Sequence, residues 1–370
     1  MRFLTIALEE LSKSNGYEQD KRIRKDAQEL YQRCIDYCIL ISGKSFDQSL
    51  WMRGRSTIYD DGDDTSSIHT VESNETHYNQ LTHHSNNSTV SNTTDTMTRN
   101  VSISNVSDME KKASWKLRED IMINQVNQYL AHQVIPRLRQ LVGDNDKINS
   151  LLNNMVYYVV GPSLKSKTKS PIILDQLCEM ARMPFTYKTW RKEVWEVFID
   201  NRFFYMNSTT CKKWLNIIQT AFSIEKERMT ELMARITTSP SNTFFSNKDQ
   251  ETLNRSLNLR RLSFVLFAGP KDQYITQLPI IQEKIVELLK LDHGEMVHME
   301  IYLCLRIILM RFSQKHLMNF WPLLITELMR LFNSFVYNDL QDRPEEAQIA
   351  LAGCKFLDLL CTLELDSFQM

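Results

Sequence analysis

The sequence predicts an all-α chain, and three observations carry that expectation. Glycine and proline number only 9 each in 370 residues, too few for a turn-dense β architecture or a glycine-rich nucleotide fold. Leu, Ile, Met, Lys, Glu and Gln are abundant, and most of these favour helices. Apolar residues recur every three or four positions, and no segment alternates with period two over a useful length.

Three parts follow along the chain. Residues 1–55 read as N-terminal helices packing on the main body. The opening run Met1-Arg2-Phe3-Leu4-Thr5-Ile6-Ala7-Leu8 is cut short by Glu9 and Glu10 with no small-residue cleavage site after it, so it reads as a helix start rather than a leader. Next, Ile23, Ala27, Leu30, Cys34 and Cys38 form one apolar face, opposite Asp20, Lys21, Arg24, Lys25 and Glu29. Residues 56–110 differ in kind: 30 of the 48 residues from 61 to 108 are Ser, Thr, Asn or Asp. Such a stretch buries too little apolar surface to offset the entropy of ordering it, so a disordered Ser/Thr/Asn-rich linker is expected.

Residues 111–370 form the predicted helical body. Ile121, Val126, Leu130, Val134, Leu138 and Leu141 make one stripe. Trp190, Val194, Trp195 and Phe198 make a second, and Trp214, Ile217, Ile218, Ala221 and Phe222 a third. Further helices are expected near 171–183, 248–268, 272–291, 295–312, 316–336 and 344–364. Gly161-Pro162, Ser239-Pro240, Gly269-Pro270 and Arg343-Pro344 should break the chain between helices. Leu278-Pro279-Ile280-Ile281-Gln282-Glu283 is echoed by Trp321-Pro322-Leu323-Leu324-Ile325-Thr326, with Pro279 and Pro322 43 positions apart. That interval matches the roughly 40–47 residues of HEAT and armadillo units. Each proline should kink or start a helix. The body is therefore expected to be a HEAT/armadillo-like helical repeat, an α-solenoid.

Charge and cysteine usage narrow the function. Lys plus Arg (44) balances Asp plus Glu (45) for a net charge of -1, which excludes a broadly basic nucleic-acid binder. The seven scattered cysteines read as reduced, buried thiols. The longest apolar stretch, residues 301–310, is interrupted by Arg306, so no membrane span is expected. No phosphate-binding glycine loop, nucleophile elbow or metal-ligand spacing is found, so no catalytic, cofactor or metal residue is assigned. Cys34 and Cys38 lie one helical turn apart without two further ligands nearby. Arg260-Arg261-Leu262-Ser263 matches a basophilic kinase site, but its apolar helical context predicts a buried Ser263.

Two basic clusters remain: Lys165, Lys167, Lys169, Arg182, Lys188, Arg191 and Lys192, and then Arg255, Arg260 and Arg261. A solvated face is the simpler account of both. The alternative is contact with anionic lipid or an acidic partner, each basic residue near a membrane adding about 1 kcal/mol. Trp190, Trp321, Pro279 and Pro322 read as structural. Arg306 does too, its guanidinium expected to pair with a carboxylate or carbonyl between stacked helices.

Several blocks resemble the C-terminal third of the Dopey family. They begin with Lys44-Ser45-Phe46-Asp47-Gln48-Ser49-Leu50-Trp51-Met52-Arg53 and Tyr187-Lys188-Thr189-Trp190-Arg191-Lys192-Glu193-Val194-Trp195. They continue with Cys304-Leu305-Arg306-Ile307-Ile308-Leu309-Met310-Arg311, Trp321-Pro322-Leu323-Leu324 and Phe368-Gln369-Met370. The resemblance runs collinearly over residues 20–55 and 115–370. It implies a non-enzymatic scaffold of vesicle-mediated transport between endosomes and Golgi, peripheral to the cytosolic face of those membranes. The implied partners are a large Arf-exchange-factor-like Golgi scaffold and, in fungi, a phospholipid flippase. Family members are far longer on the N-terminal side, so the chain is expected to be a portion or a short member.

Overall fold

A computed structural model describes residues 5–7, 9, 10, 13, 21–55, 104–166, 170–237, 248–290, 294–337 and 344–363. All regular structure among the described residues is helical. Residues 56–103 of the expected linker, Ser239-Pro240, and the final block from 364 onward lie outside that set. Helix α2 begins at Ser104, seven residues ahead of the expected body. The chain divides into two compact units, one of residues 1–43 and 124–370, the other of residues 44–123. The second unit contains the later part of α1 (Lys21–Arg55) and the first part of α2 (Ser104–Tyr129).

In the larger unit helices alternate between two rows. One row runs through α6 (Pro171–Ala181), α8 (Ser208–Ile224), α10 (Lys248–Ala268), α12 (Glu295–Arg311) and α14 (Pro344–Thr362), each packed on the next. The other contains α7 (Tyr187–Ile199), α9 (Glu227–Thr237), α11 (Leu278–Lys290) and α13 (Trp321–Tyr337). Alternation of this kind is the helical-repeat architecture the sequence predicts: no helix here buries its apolar face alone, and each is covered by its neighbours. The repeat is visible in burial. Leu278, Ile281, Ile285 and Leu288 are buried in α11, and Trp321, Leu324, Leu328 and Leu331, each 43 positions later, are buried in α13. A short 3-10 turn precedes each helix, Ile275–Gln277 and Met318–Phe320. Pro279 and Pro322 each occupy the second helical position, where no intrahelical N–H bond is lost. They start helices, so α11 and α13 begin later than the periodicity suggested. Where the two rows meet, Gly353 of α14 lies so close to Leu331 that a Cβ there would overlap the leucine methyl.

Two expectations change in physically informative ways. Gly161-Pro162 does not break the chain. A π turn, Val156–Val160, runs straight into α5 (Gly161–Lys165), and the shifted hydrogen-bond register accommodates the proline's missing donor. A π turn at Leu130–Val134 does the same before Pro136, joining α2 through a 3-10 turn to α3 (Leu138–Leu141). After it, α4 (Asn145–Met155) is capped by Asp144, whose carboxylate accepts from the Asp146 N–H at 2.9 Å. The predicted face of α1 is rotated, and the stripe that starts in α2 holds from Leu130 through Val134, Leu138 and Leu141, all buried, but fails at its start. Among the residues of α1 whose burial is described, Tyr31, Ile35, Cys38, Ile39, Ser42 and Gly43 are buried, while Ile23 and Leu30 are exposed. In α2, Ile121 is exposed and Asn127 is buried, its side chain accepting from Gln176 Nε2 at 3.0 Å.

Successive loops are cross-braced. Asp272, in the left-handed region at φ 63°, donates its N–H to Arg311 O at 2.8 Å. Its carboxylate accepts from the Ser313 N–H at 2.6 Å and from the Ser313 hydroxyl. Those bonds from Ser313 hold the Asp272 carboxyl below the usual carboxylate range. A folded-state value below the unfolded one stabilises the fold above about pH 4, and that contribution is lost as pH falls through the folded value. Asp272→Asn keeps a residue that tolerates positive φ but removes the charge. Thermal melts at pH 7 and pH 3 should show a smaller acid-induced fall for the variant than for the parent. Parallel pH profiles would mean that the brace does not couple to protonation.

Candidate functional site

The first basic cluster gathers at α5 and α7, and its charges are largely answered. Lys165 Nζ lies 3.1 Å from carboxylates of both Glu193 and Glu196 on α7, and those bonds raise its pKa. Arg182 pairs with Glu179 at 2.7 Å, and Lys192 with Glu196 at 4.0 Å. Lys188, Arg191 and Lys192 are exposed or nearly so on the α7 surface. Lys167 and Lys169 lie outside the described residues. Exposed pairs of this kind contribute little to stability, about 0.2–1 kcal/mol each, but they reduce the local positive potential. Beside them is a cleft of about 620 Å3 lined by Leu164, Lys165, Glu196, Asp200, Arg202 and Tyr205. Its charges are mixed, Arg202 being paired with Asp200 at 3.1 Å, so it is not a uniformly cationic pocket.

In the second cluster Arg255 and Arg261 are built into the interior, while Arg260 stays exposed. Arg255 is buried and pairs with Glu251, and Arg260 pairs with Glu300 of α12, itself 5% exposed. Arg261, 3% exposed, reaches the C-terminal end of α7. Its Nε donates to Phe198 O at 2.8 Å, and a terminal nitrogen donates to Ile199 O at 2.8 Å and Asp200 O at 3.0 Å. The helix end leaves carbonyls without intrahelical donors, and the guanidinium fork satisfies them where the helix dipole is negative. Burial lowers the Arg261 pKa to about 10, so the group remains charged at neutral pH. Arg311 repeats the device one stage along, donating to Phe267 O at 2.6 Å and to Gly269 O at the end of α10. Periodicity alone does not find these roles, because the acceptors lie more than 40 residues away in sequence.

The remaining candidates are resolved by burial. Trp190 is fully buried, its indole N–H donating to Thr186 Oγ1 at 3.2 Å. Trp321 is buried at the start of α13. Ser263 is 1% exposed, inaccessible to a kinase in the folded chain. Burial pushes the Cys304 thiol up to about 12 and the Cys178 thiol up to about 11, so neither is a nucleophile at neutral pH. Cys354 and Cys361 depart from the expected buried thiols, as both are exposed on α14. Among the described residues no three His, Cys, Asp or Glu side chains converge as a metal site.

Arg306 also departs from expectation. It is half-buried and has no carboxylate partner within 4 Å among the described residues. Its Nε is buried without an acceptor among the described residues. It lines a cleft of about 510 Å3 formed by α10, α12 and α14, with Phe267, Leu303, Ile307, Met310 and Leu359 as the apolar lining. Lys355, Asp358 and Thr362 of α14 complete the rim.

Residues 87–370 match the family model described as DOP1 C-terminal. The protein pad-1 of Caenorhabditis briggsae is 25% identical over 399 aligned residues, covering 95% of this chain and 17% of the relative. The DOP1 homolog of Drosophila melanogaster is 29% identical over 197 residues, covering 51% of this chain and 8% of the relative. The protein DOP1 of Saccharomyces cerevisiae is 25% identical over 279 residues, covering 69% and 16%. The chain therefore spans less than a fifth of the length of these relatives. No solved structure matches it.

Proposed function

We propose, from the premise that this chain belongs to the DOP1 C-terminal family, that it is a non-enzymatic scaffold segment of vesicle-mediated transport between endosomes and Golgi. It acts through contacts on the surface of its stacked helices, on the cytosolic face of those membranes. Its partners in this reading are a large Arf-exchange-factor-like Golgi scaffold and a phospholipid flippase. The observation that carries the reading is that the family match and the two-row helical body coincide over most of the chain. Stacked helix pairs give an extended surface well suited to another helical protein.

Direct attachment to anionic lipid through Lys165 and its neighbours is the competing account. It has less support, because Lys165, Arg182 and Lys192 already face carboxylates. The test is affinity capture of the tagged 370-residue chain from cytosol and Golgi-enriched membranes, together with vesicle flotation. Recovery of the exchange-factor-like scaffold or the flippase is the expected result. Flotation of the purified chain on phosphatidylserine vesicles, abolished by Lys188→Glu with Arg191→Glu, would transfer the function to lipid contact.

A further inference from the structure

We infer that the cleft across α10, α12 and α14 is a docking groove for an acidic amphipathic helix of a partner protein, with Arg306 as its charged anchor. The inference rests on the scaffold reading and specifies where on the helical surface one partner sits.

Two properties of the cleft define that occupant. The first is its lining, which is apolar and partly open to solvent. Phe267 is 42% exposed and Met310 41%, and Leu303, Ile307 and Leu359 share the lining with them. Residues on one face of a helix, spaced three and four apart, fill a groove of this kind. The second is charge. The Arg306 guanidinium lines the cleft with its Nε buried and without an acceptor among the described residues. Arg311 Nε is buried without an acceptor in the same way, but the guanidinium groups of Arg255, Arg260, Arg261 and Arg311 all have carboxylate or carbonyl partners. A half-buried guanidinium is costly without an acceptor and binds a planar carboxylate through two parallel bonds. Lys355 adds positive charge on the α14 rim, and Arg311 lies over the Phe267 ring at 5.3 Å. Of the cleft's own lining, two cations, Arg306 and Lys355, meet one rim carboxylate, Asp358. Asp358 disfavours a phosphate-dense membrane surface. A single peptide carboxylate remains able to reach Arg306.

The test uses the full 370-residue chain and a fluorescein-labelled helical peptide of about 16 residues. The peptide carries Leu at three- and four-residue spacing with Glu flanking the leucines, and a control peptide carries Lys in place of Glu. Fluorescence anisotropy should show binding of the acidic peptide and at least about tenfold weaker binding of the basic one. Arg306→Glu should weaken the acidic peptide by about tenfold or more and improve the basic peptide, since the charge is reversed at the contact. Lys355→Glu, at an exposed position, should shift both affinities the same way by a smaller factor. Leu359→Glu should abolish binding of both. Equal binding of the acidic peptide to the parent and to both charge-reversal variants would overturn the inference. So would phosphatidylserine-vesicle binding that depends on Arg306. If no peptide binds while affinity capture still recovers the exchange-factor-like scaffold, the groove inference falls and the scaffold reading stands. If the Arg306→Glu chain captures every partner the parent does, the outcome is the same. A parent chain that captures neither partner would remove the scaffold reading itself.

Discussion

Replacing Arg261 by methionine should destabilise the helical body by about 3–5 kcal/mol, because several buried carbonyls lose a charged donor at once. The side chain is 3% exposed and donates to the backbone of Phe198, Ile199 and Asp200 and to Asn258 Oδ1. Methionine retains much of the apolar stem, so the loss reports the hydrogen bonds rather than packing. Lysine should recover little, since one ammonium cannot span three carbonyls in the geometry of the planar fork. Urea unfolding followed by far-UV circular dichroism gives the measurement. A loss below about 1 kcal/mol would mean that water replaces the guanidinium at the end of α7.

Phe198→Ala should cost about 3–5 kcal/mol, the usual range for deleting a fully buried aromatic side chain. Its ring is fully buried and lies 5.1 Å from Phe203, 5.8 Å from Phe222 and 6.5 Å from Phe264, centroid to centroid. It therefore joins α7 to α8 and α10, and edge-to-face geometry adds to the area it buries. Phe198→Leu should recover more than half of the loss. Phe198 and Arg261 anchor the same last turn of α7, one through its ring and the other through the carbonyls. The double variant should lose less than the sum of the two single losses. Strict additivity in urea melts would show that the ring and the guanidinium act on separable units.

The legible part of the fold was whatever depends on local spacing. Periodicity located most helices of the body to within a few residues, and the interval between Pro279 and Pro322 revealed the repeat. Its larger errors have specific causes. The α1 sequence supports two apolar stripes one residue apart, one through Leu30 and Cys34, the other through Tyr31 and Ile35. Periodicity favours the first, and only the neighbouring helices select Tyr31 and Ile35 for burial. Asn127 was invisible as a core position because its partner, Gln176, lies 49 residues away. Gly161-Pro162 signals a break in any local rule, yet the π turn before it shifts the backbone register and the helix continues.

Candidate sites followed the same division. The sequence listed the basic residues but could not assign their partners, and the partners decide their roles. Arg255, Arg260 and Arg261 resemble a surface cluster in one dimension, yet folding turns Arg255 and Arg261 inward and leaves Arg260 exposed, paired with the buried Glu300. Arg306 resembles an interior strut, and folding leaves it at the edge of an open cleft. The sequence by itself determined the helices, the 43-residue repeat and the family. Tertiary structure alone decided which apolar face is buried and which guanidinium groups are tied to helix ends and carboxylates. Helix formation depends on neighbours three or four positions away, whereas burial and charge pairing depend on residues that only the stacking of helices brings together.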